Sequence, residues 1–341
     1  MNGMATTNLS LRWIELTVLA LALFFINNNP ARCACFAFGL ILGSSANCLI
    51  LWLQSLGFST ELIRLGLAYP NFDRLWAGRT MERYSGLHGH PNGAAAVIAL
   101  CVPAMIALTI EFRKTLLLAV IAILICVPAA LLTYSRSAFL VSLALLIFWF
   151  FRLRSSNRLI ITGFTLVTAA LIFFVAAPSL SERWAVDASS EGNAATRWET
   201  TQQSAEAILN SPFGLGSDFE NGFSRDNQLS LSVLATHNAF THLGLSGGLP
   251  IMILVLASLI AAASSLRTSN DLKAWLALYL LGIFFFEEHL RNPTFIVLTL
   301  WLVLAFLRNL LDNSAQRNHS RPHRDYRGLR QEQAIGSELQ V

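Results

Sequence analysis

Lysine is almost absent from this 341-residue chain, with Lys114 and Lys273 the only two. Charge of either sign is scarce: 13% of residues carry it, against roughly 25% in soluble globular domains. That shortage excludes a water-soluble fold, and with 54% hydrophobic residues the chain reads as an integral membrane protein. The net charge of +4 rests on arginines scattered between apolar runs, which excludes nucleic acid as a partner. The five cysteines, Cys33, Cys35, Cys48, Cys101 and Cys126, all lie in apolar runs. Cys33-x-Cys35 has no further ligands at metal-site spacing, so all five read as small buried packing residues. The polar segments hold no Asp-x-Asp pair and no His/Cys cluster of ligand spacing, so neither metal nor other cofactor is expected.

What is present is a series of apolar runs. A spanning helix needs about 20 mostly apolar residues. The candidates are Ile14–Ile26, Cys33–Leu53, Asn92–Ile110, Thr115–Tyr134, Ser137–Phe151, Leu159–Pro178, Asn238–Ala263, Ala274–Phe286 and Thr294–Leu307. The fold expected is all-α, with about nine transmembrane helices in a polytopic domain over residues 1–311. Leu16–Ile26 reads as part of a span rather than a cleaved signal, because Asn27-Asn28-Asn29-Pro30 is a poor cleavage site and a second span follows at once. No internal repeat of transporter type is visible.

Cations in the short loops give the orientation. Arg113 and Lys114, then Arg152, Arg154 and Arg158, then Arg267 and Lys273 fall on one side, which is read as cytoplasmic. The arginine-rich tail from Asp312, residues 312–341, falls there too and reads as a disordered end drawn to anionic membrane lipid. The opposite side holds Gln54–Pro91, a tight Tyr134-Ser135-Arg136-Ser137 turn, a long polar loop Ser179–His237 and Glu287–Pro293. The stretch Leu62–Tyr69 is apolar enough to rest on the membrane surface.

The long loop is where chemistry is expected. Thr196-Arg197-Trp198-Glu199 fits a capping box, with a helix running to about Asn210 and Trp198, Ala205, Ile208 and Leu209 near one face. Arg197 would then sit in the first turn, where free backbone N–H groups also favour an anion. Pro212 and Gly214-Leu215-Gly216 stop that helix.

Four motifs recur on this side of the membrane. The first is Arg83-Tyr84-Ser85-Gly86-Leu87-His88-Gly89-His90-Pro91-Asn92, which alone reads as a Gly/Pro loop before a helix. The second is Ser135-Arg136-Ser137, where Arg136 either snorkels to the interface or meets a ligand. The third is Arg197 followed by Asn210-Ser211-Pro212-Phe213-Gly214-Leu215-Gly216. The fourth is His237-Asn238-Ala239-Phe240, with Gly247-Gly248 beyond it; His242, one turn after Asn238, can share its face.

In this order the motifs resemble the O-antigen ligase and polymerase family of bacterial membrane glycosyltransferases. The resemblance runs from Arg83 to about Pro250. It implies transfer of a glycan from an undecaprenyl diphosphate carrier to an acceptor hydroxyl, at the outer face of the inner membrane and without metal. The acceptor would be a lipid A core for a ligase or a growing glycan for a polymerase. By the same resemblance His237 is the catalytic residue, Arg136 and Arg197 hold the diphosphate, and Arg83, Asn238 and His242 complete the substrate site. One departure is Ser246, where the family usually places an acidic residue. A transporter or flippase of lipid-linked glycan is the reading from another class, and it predicts broken helices and midplane charges. A non-catalytic assembly subunit is the third.

Overall fold

A computed structural model describes residues 30–70, 72–76, 79–88, 90–111, 125–126, 128–152, 192–216, 238–267, 271–286 and 293–319. The predicted spans Ile14–Ile26 and Leu159–Pro178, and most of Thr115–Tyr134, lie outside these residues. The described chain is mainly helical. Among its helices four are long and apolar enough to cross a membrane: Arg32–Arg64, Pro91–Ile110, Ala239–Ser264 and Pro293–Asn313.

Helix α1 (Pro30–Leu53) continues through a wide turn at Gln54–Phe58, where Gly57 takes φ 98°, into α2 (Ser59–Arg64). Leu62 is buried, while Leu65 and Tyr69 beyond α2 are exposed. Next comes an antiparallel hairpin, β1 (Phe72–Trp76) with β2 (Arg79–Arg83), in a register that pairs Trp76 with Arg79. This corrects the all-α reading. Flanked by charged rather than alternating apolar residues, the pair carries no clear period-2 signal.

Helices α3 (Pro91–Ala99) and α4 (Cys101–Glu111) form one span with a break at Leu100. Pro103 has no N–H to give Ala99, and its ring crowds that carbonyl. The Leu100 N–H turns to Val97 (3.2 Å) rather than Ala96. The Ala96 carbonyl instead accepts the buried Tyr279 hydroxyl at 2.6 Å, which ties this span to a helix 183 residues on.

Helix α5 (Arg136–Arg152) follows a turn at Leu132–Tyr134. Arg136 therefore opens the helix instead of sitting in the turn, a one-residue correction. Helix α6 is Gly192–Asn210. Its end is as expected, but it begins four residues before Thr196, so Thr196 is not the cap and Arg197 lies in the second turn. Ala194 and Ala195, strong helix formers, carry the helix back past the capping box. Of the four residues expected near one face, Ile208 parts from the other three. Thr200, Ser204 and Ile208 are buried, whereas Trp198, Ala205 and Leu209 are exposed.

Helix α7 (Ala239–Ser264) is broken at Gly248 (φ 82°, ψ 172°), two residues before Pro250, where an uninterrupted span was expected. Helix α8 (Leu272–Phe286) is capped by Asp271, whose carboxylate accepts the Ala274 N–H at 2.9 Å. Helix α9 (Pro293–His319) runs past Asp312, correcting the disordered reading for 312–319. The Arg308–Asp312 pair (3.6 Å) spans one turn there.

The core lies where α8 meets α4, α5, α7 and α9, around fully buried Trp275, Tyr279, Phe284, Phe295 and Trp301. Cys48, Cys101 and Cys126 are buried; Cys35 is exposed, contrary to expectation. Arg152, Arg267 and Lys273 mark the lower end of the bundle. The part of α7 from Leu249 to Ser264 rises about 24 Å from that end, and α8 rises about 22 Å. Asn238, ten residues above Gly248, nevertheless bonds the Phe285 carbonyl at the top of α8. The upper half of α7 thus folds across the top of α8, with Phe240 edge-on to Phe284 at 6.1 Å.

Candidate functional site

The four motifs meet in two pairs at the upper end. The first two are joined by Arg83, which is 4% exposed. Its Nε donates to the Thr133 carbonyl (2.9 Å) and its Nη2 to Asn92 Oδ1 (2.6 Å). One guanidinium therefore locks the end of β2 to the start of α3 and to the turn before α5. Thr133 Oγ1 accepts the Ser135 N–H at 3.2 Å, and the Ser135 and Ser137 hydroxyls lie 3.2 Å apart. These bonds present Arg136, exposed, at the first position of α5.

Two polar residues in the α1 run, missed by the sequence reading, hold the first motif from below. Buried Gln54 accepts the Gly86 N–H (2.9 Å) and donates to the Tyr69 carbonyl (3.1 Å). Buried Asn47 accepts the Leu87 N–H at 2.9 Å. Gly86 takes φ 58°, and a Cβ there would overlap Asn47 Oδ1, so the close approach demands glycine. The available signal was an uncharged polar pair near the end of an apolar run. His90 caps α3, its Nδ1 accepting the Asn92 N–H at 3.2 Å. His88 is half-buried, and that burial pushes its imidazole below the ordinary histidine range. Burial raises the Tyr84 phenol, and the nearby Glu82 carboxylate raises it further.

The third and fourth motifs are joined backbone to backbone. The break at Gly248 frees peptide groups of α7, and the loop Pro212–Gly216 occupies them. Leu215 N–H donates to the Leu245 carbonyl (2.6 Å), Gly216 N–H to Ser246 (3.2 Å), and Leu249 N–H to Pro212 (2.8 Å). A Cβ on Gly248 would lie 2.5 Å from the Pro212 carbonyl oxygen, and one on Gly214 would lie 2.6 Å from the Gly248 nitrogen. Beside this seam Ile208, Leu245, Leu215 and Leu249 form a small apolar cluster. The seam fastens α6, which carries Arg197, to α7, which begins at Asn238.

Asn238 caps α7, accepting the Phe240 N–H at 2.8 Å while donating to Phe285. His242 lies in the first turns of α7, half-buried, and its carbonyl accepts the Ser246 hydroxyl at 2.8 Å. Ser246, at the family's usual acidic position, is thus turned back onto its own helix. His237 and the rest of the loop between Gly216 and Asn238 lie outside the described residues. The two pairs of motifs are brought together by α8: Val141 of α5 packs on Gly282, and Asn238 holds Phe285 one turn above. Below them a groove of about 840 Å³ runs down between α5 and α8, from Leu140 and Phe286 to Arg152.

In the comparison with known families, residues 121–256 match the family described as O-antigen ligase. No curated protein matches the chain. The matched stretch takes in Arg136, the Arg197 helix, the seam at Gly248 and the Asn238 cap; over residues 121–256 the chain is similar to the O-antigen ligase family.

Proposed function

We propose that this glycosyltransferase-type membrane enzyme moves a glycan from an undecaprenyl diphosphate carrier to an acceptor hydroxyl, on a lipid A core, at the outer face of the inner membrane. The observation that carries this reading is that α8 packs against both α5, which Arg136 opens, and α7, whose Asn238 cap bonds the Phe285 carbonyl. The seam ties the end of the Arg197 helix to α7 at Gly248, ten residues past the Asn238 cap. The apolar groove below Arg136 suits the polyprenyl chain of such a donor, with its diphosphate left at the Arg136 end.

In this reading the acceptor oxygen attacks the anomeric carbon as the bond to the diphosphate breaks. His237 takes the hydroxyl proton, since an unperturbed imidazole titrates near neutrality. The diphosphate leaves with the bonding electrons, and fixed guanidiniums at Arg136 and Arg197 stabilise the growing charge. One direct attack inverts the anomeric centre, and no metal is required. Arg83 and Asn238, with their polar atoms spent on backbone and Asn92, act as positioning residues. The backbone groups freed at Gly248 are filled by the loop rather than turned to a cavity, which favours a fixed enzyme site over a transport path.

The test is a comparison of variants with purified protein and lipid-linked glycan. His237→Ala is expected to lower turnover by roughly 10²–10⁴-fold while donor still binds. Arg136→Lys and Arg197→Lys are expected to weaken both donor binding and turnover, since an ammonium cannot reproduce the planar fork. Wild-type turnover by His237→Ala at normal protein level would sink the catalytic assignment.

A further inference from the structure

Helix α6 has three faces rather than two. One stripe, Thr200, Ser204 and Ile208, is buried against the protein. A second, Glu199, Gln203, Glu206 and Asn210, is polar, with Gln203 Nε2 3.5 Å from Glu199 Oε1. The third is apolar and uncovered: Trp198 is 66% exposed and Leu209 71%, and Phe213, in the loop just after the helix, is 84% exposed. A helix on a soluble protein has no reason to keep such a third face.

The seam supplies the height at which this face sits. Pro212–Gly216 is bonded directly to α7 at Gly248, about 24 Å along the helix from the lower end. A bilayer's hydrocarbon layer is about 30 Å thick. Helix α8 rises about 22 Å from the same end to Phe286, which is followed by Glu287 and Glu288. Phe213 is thereby fastened at the upper boundary of the hydrocarbon. Irregular backbone is tolerated at that depth only when its polar groups are paired inside the protein, and the seam pairs them.

We propose that α6 and the Pro212–Gly216 loop lie in the membrane interface at the upper face, with Trp198, Leu209 and Phe213 seated in the acyl chains of that leaflet. Glu199 and Glu206 face water, and Thr200, Ser204 and Ile208 face the protein. The occupant of the uncovered face is bilayer lipid: aromatic side chains are the common anchors at this level, and an amphipathic helix in the plane buries its apolar side this way. The consequence is that Arg197 is held at a fixed height by two attachments, the glycine seam and the lipid. The inference does not depend on the reaction catalysed, nor on which compartment the upper face meets.

Depth-dependent quenching tests it. With Cys33 and Cys35 changed to serine and the buried Cys48, Cys101 and Cys126 kept, a cysteine introduced as Leu209→Cys, Phe213→Cys or Glu206→Cys carries an environment-sensitive fluorophore. The protein is placed in phosphatidylethanolamine–phosphatidylglycerol vesicles. The labels at 209 and 213 are expected to show blue-shifted emission, to be quenched by lipids spin-labelled high in the acyl chain, and to ignore aqueous iodide. The label at 206 is expected to do the reverse. Iodide quenching at 209 and 213 equal to that at 206 overturns the proposal, because the face is then in water. Protection at 209 and 213 from both quenchers also overturns it, because another protein surface then covers the face. As a check on perturbation by the label, unlabelled Phe213→Asp should loosen α6 from the vesicle and raise protease cleavage after Arg197; unchanged cleavage contradicts the anchoring.

Discussion

Arg83 illustrates how residue type and residue role separate. The family resemblance places Arg83 in the substrate site, and the structure shows its guanidinium buried and bonded to Thr133 and Asn92. Arg83→Gln is expected to destabilise the protein by about 1–3 kcal/mol, since two buried acceptors lose their donor. Thermal unfolding in detergent measures this, and an unchanged midpoint contradicts the structural role. Gly248→Ala should act through the seam. Its φ of 82° and the 2.5 Å approach of the Pro212 carbonyl leave no room for a methyl. A loss of about 1–3 kcal/mol and release of α6 are expected, read as faster proteolysis between residues 192 and 216. His88 carries a pH effect. Its imidazole is held below the ordinary range, so the unfolded chain takes up a proton first as pH falls. Stability is expected to drop as pH falls through about 6.5 and to level off once the folded group also protonates. His88→Gln should flatten that part of an unfolding-versus-pH curve; an identical curve for the variant counts against it.

At the scale of elements, helix existence was legible and helix interiors were not. Hydropathy placed the starts of these helices within a few residues, because a run of apolar side chains in lipid has no alternative but to close its own hydrogen bonds. Breaks follow different logic. Pro103 bends the α3–α4 span, and Gly248 with Pro250 bends α7, yet membrane helices often tolerate both residue types. Only the partners of the freed groups distinguish a tolerated proline from a working break. Those partners, Tyr279 for Ala96 and Pro212–Gly216 for Gly248, are 183 and about 30 residues away in sequence. Tyr279→Phe is expected to cost about 1 kcal/mol with little change in fold. A loss no larger than that of a neutral core substitution would mean the Ala96 carbonyl finds another donor. The early start of α6 and the late end of α9 share one cause: alanines before Thr196 and the one-turn Arg308–Asp312 pair extend helices through polar sequence.

For the whole molecule, the segregation of cations predicts that Arg152–Arg158 is cytoplasmic and the Ser179–His237 loop is outside. Cysteine labelling at Ser189 with an impermeant reagent in intact cells tests it, and protection of that site would reverse the orientation. Turnover is also expected to persist in EDTA, because the electrostatic work is assigned to arginine. Full loss of activity restored by magnesium would move that work to a metal.

By itself the sequence determined the class, the described spans, the four motifs and their order, because lipid filters residues by polarity and that filter acts on each run independently. It did not determine which motifs touch. Arg83 with Thr133, Gln54 with Gly86, and Gly214 with Gly248 are contacts between polar or backbone groups that no apolar period marks. Their meeting depends on where the helices pack and how α7 folds across α8. Tertiary structure decided that two of the expected ligand residues, Arg83 and Asn238, are committed to holding the site, and that Arg197 rides on a helix fastened by a seam of glycines. The physical reason is that a buried polar group must find its partner wherever packing brings one, near or far along the chain.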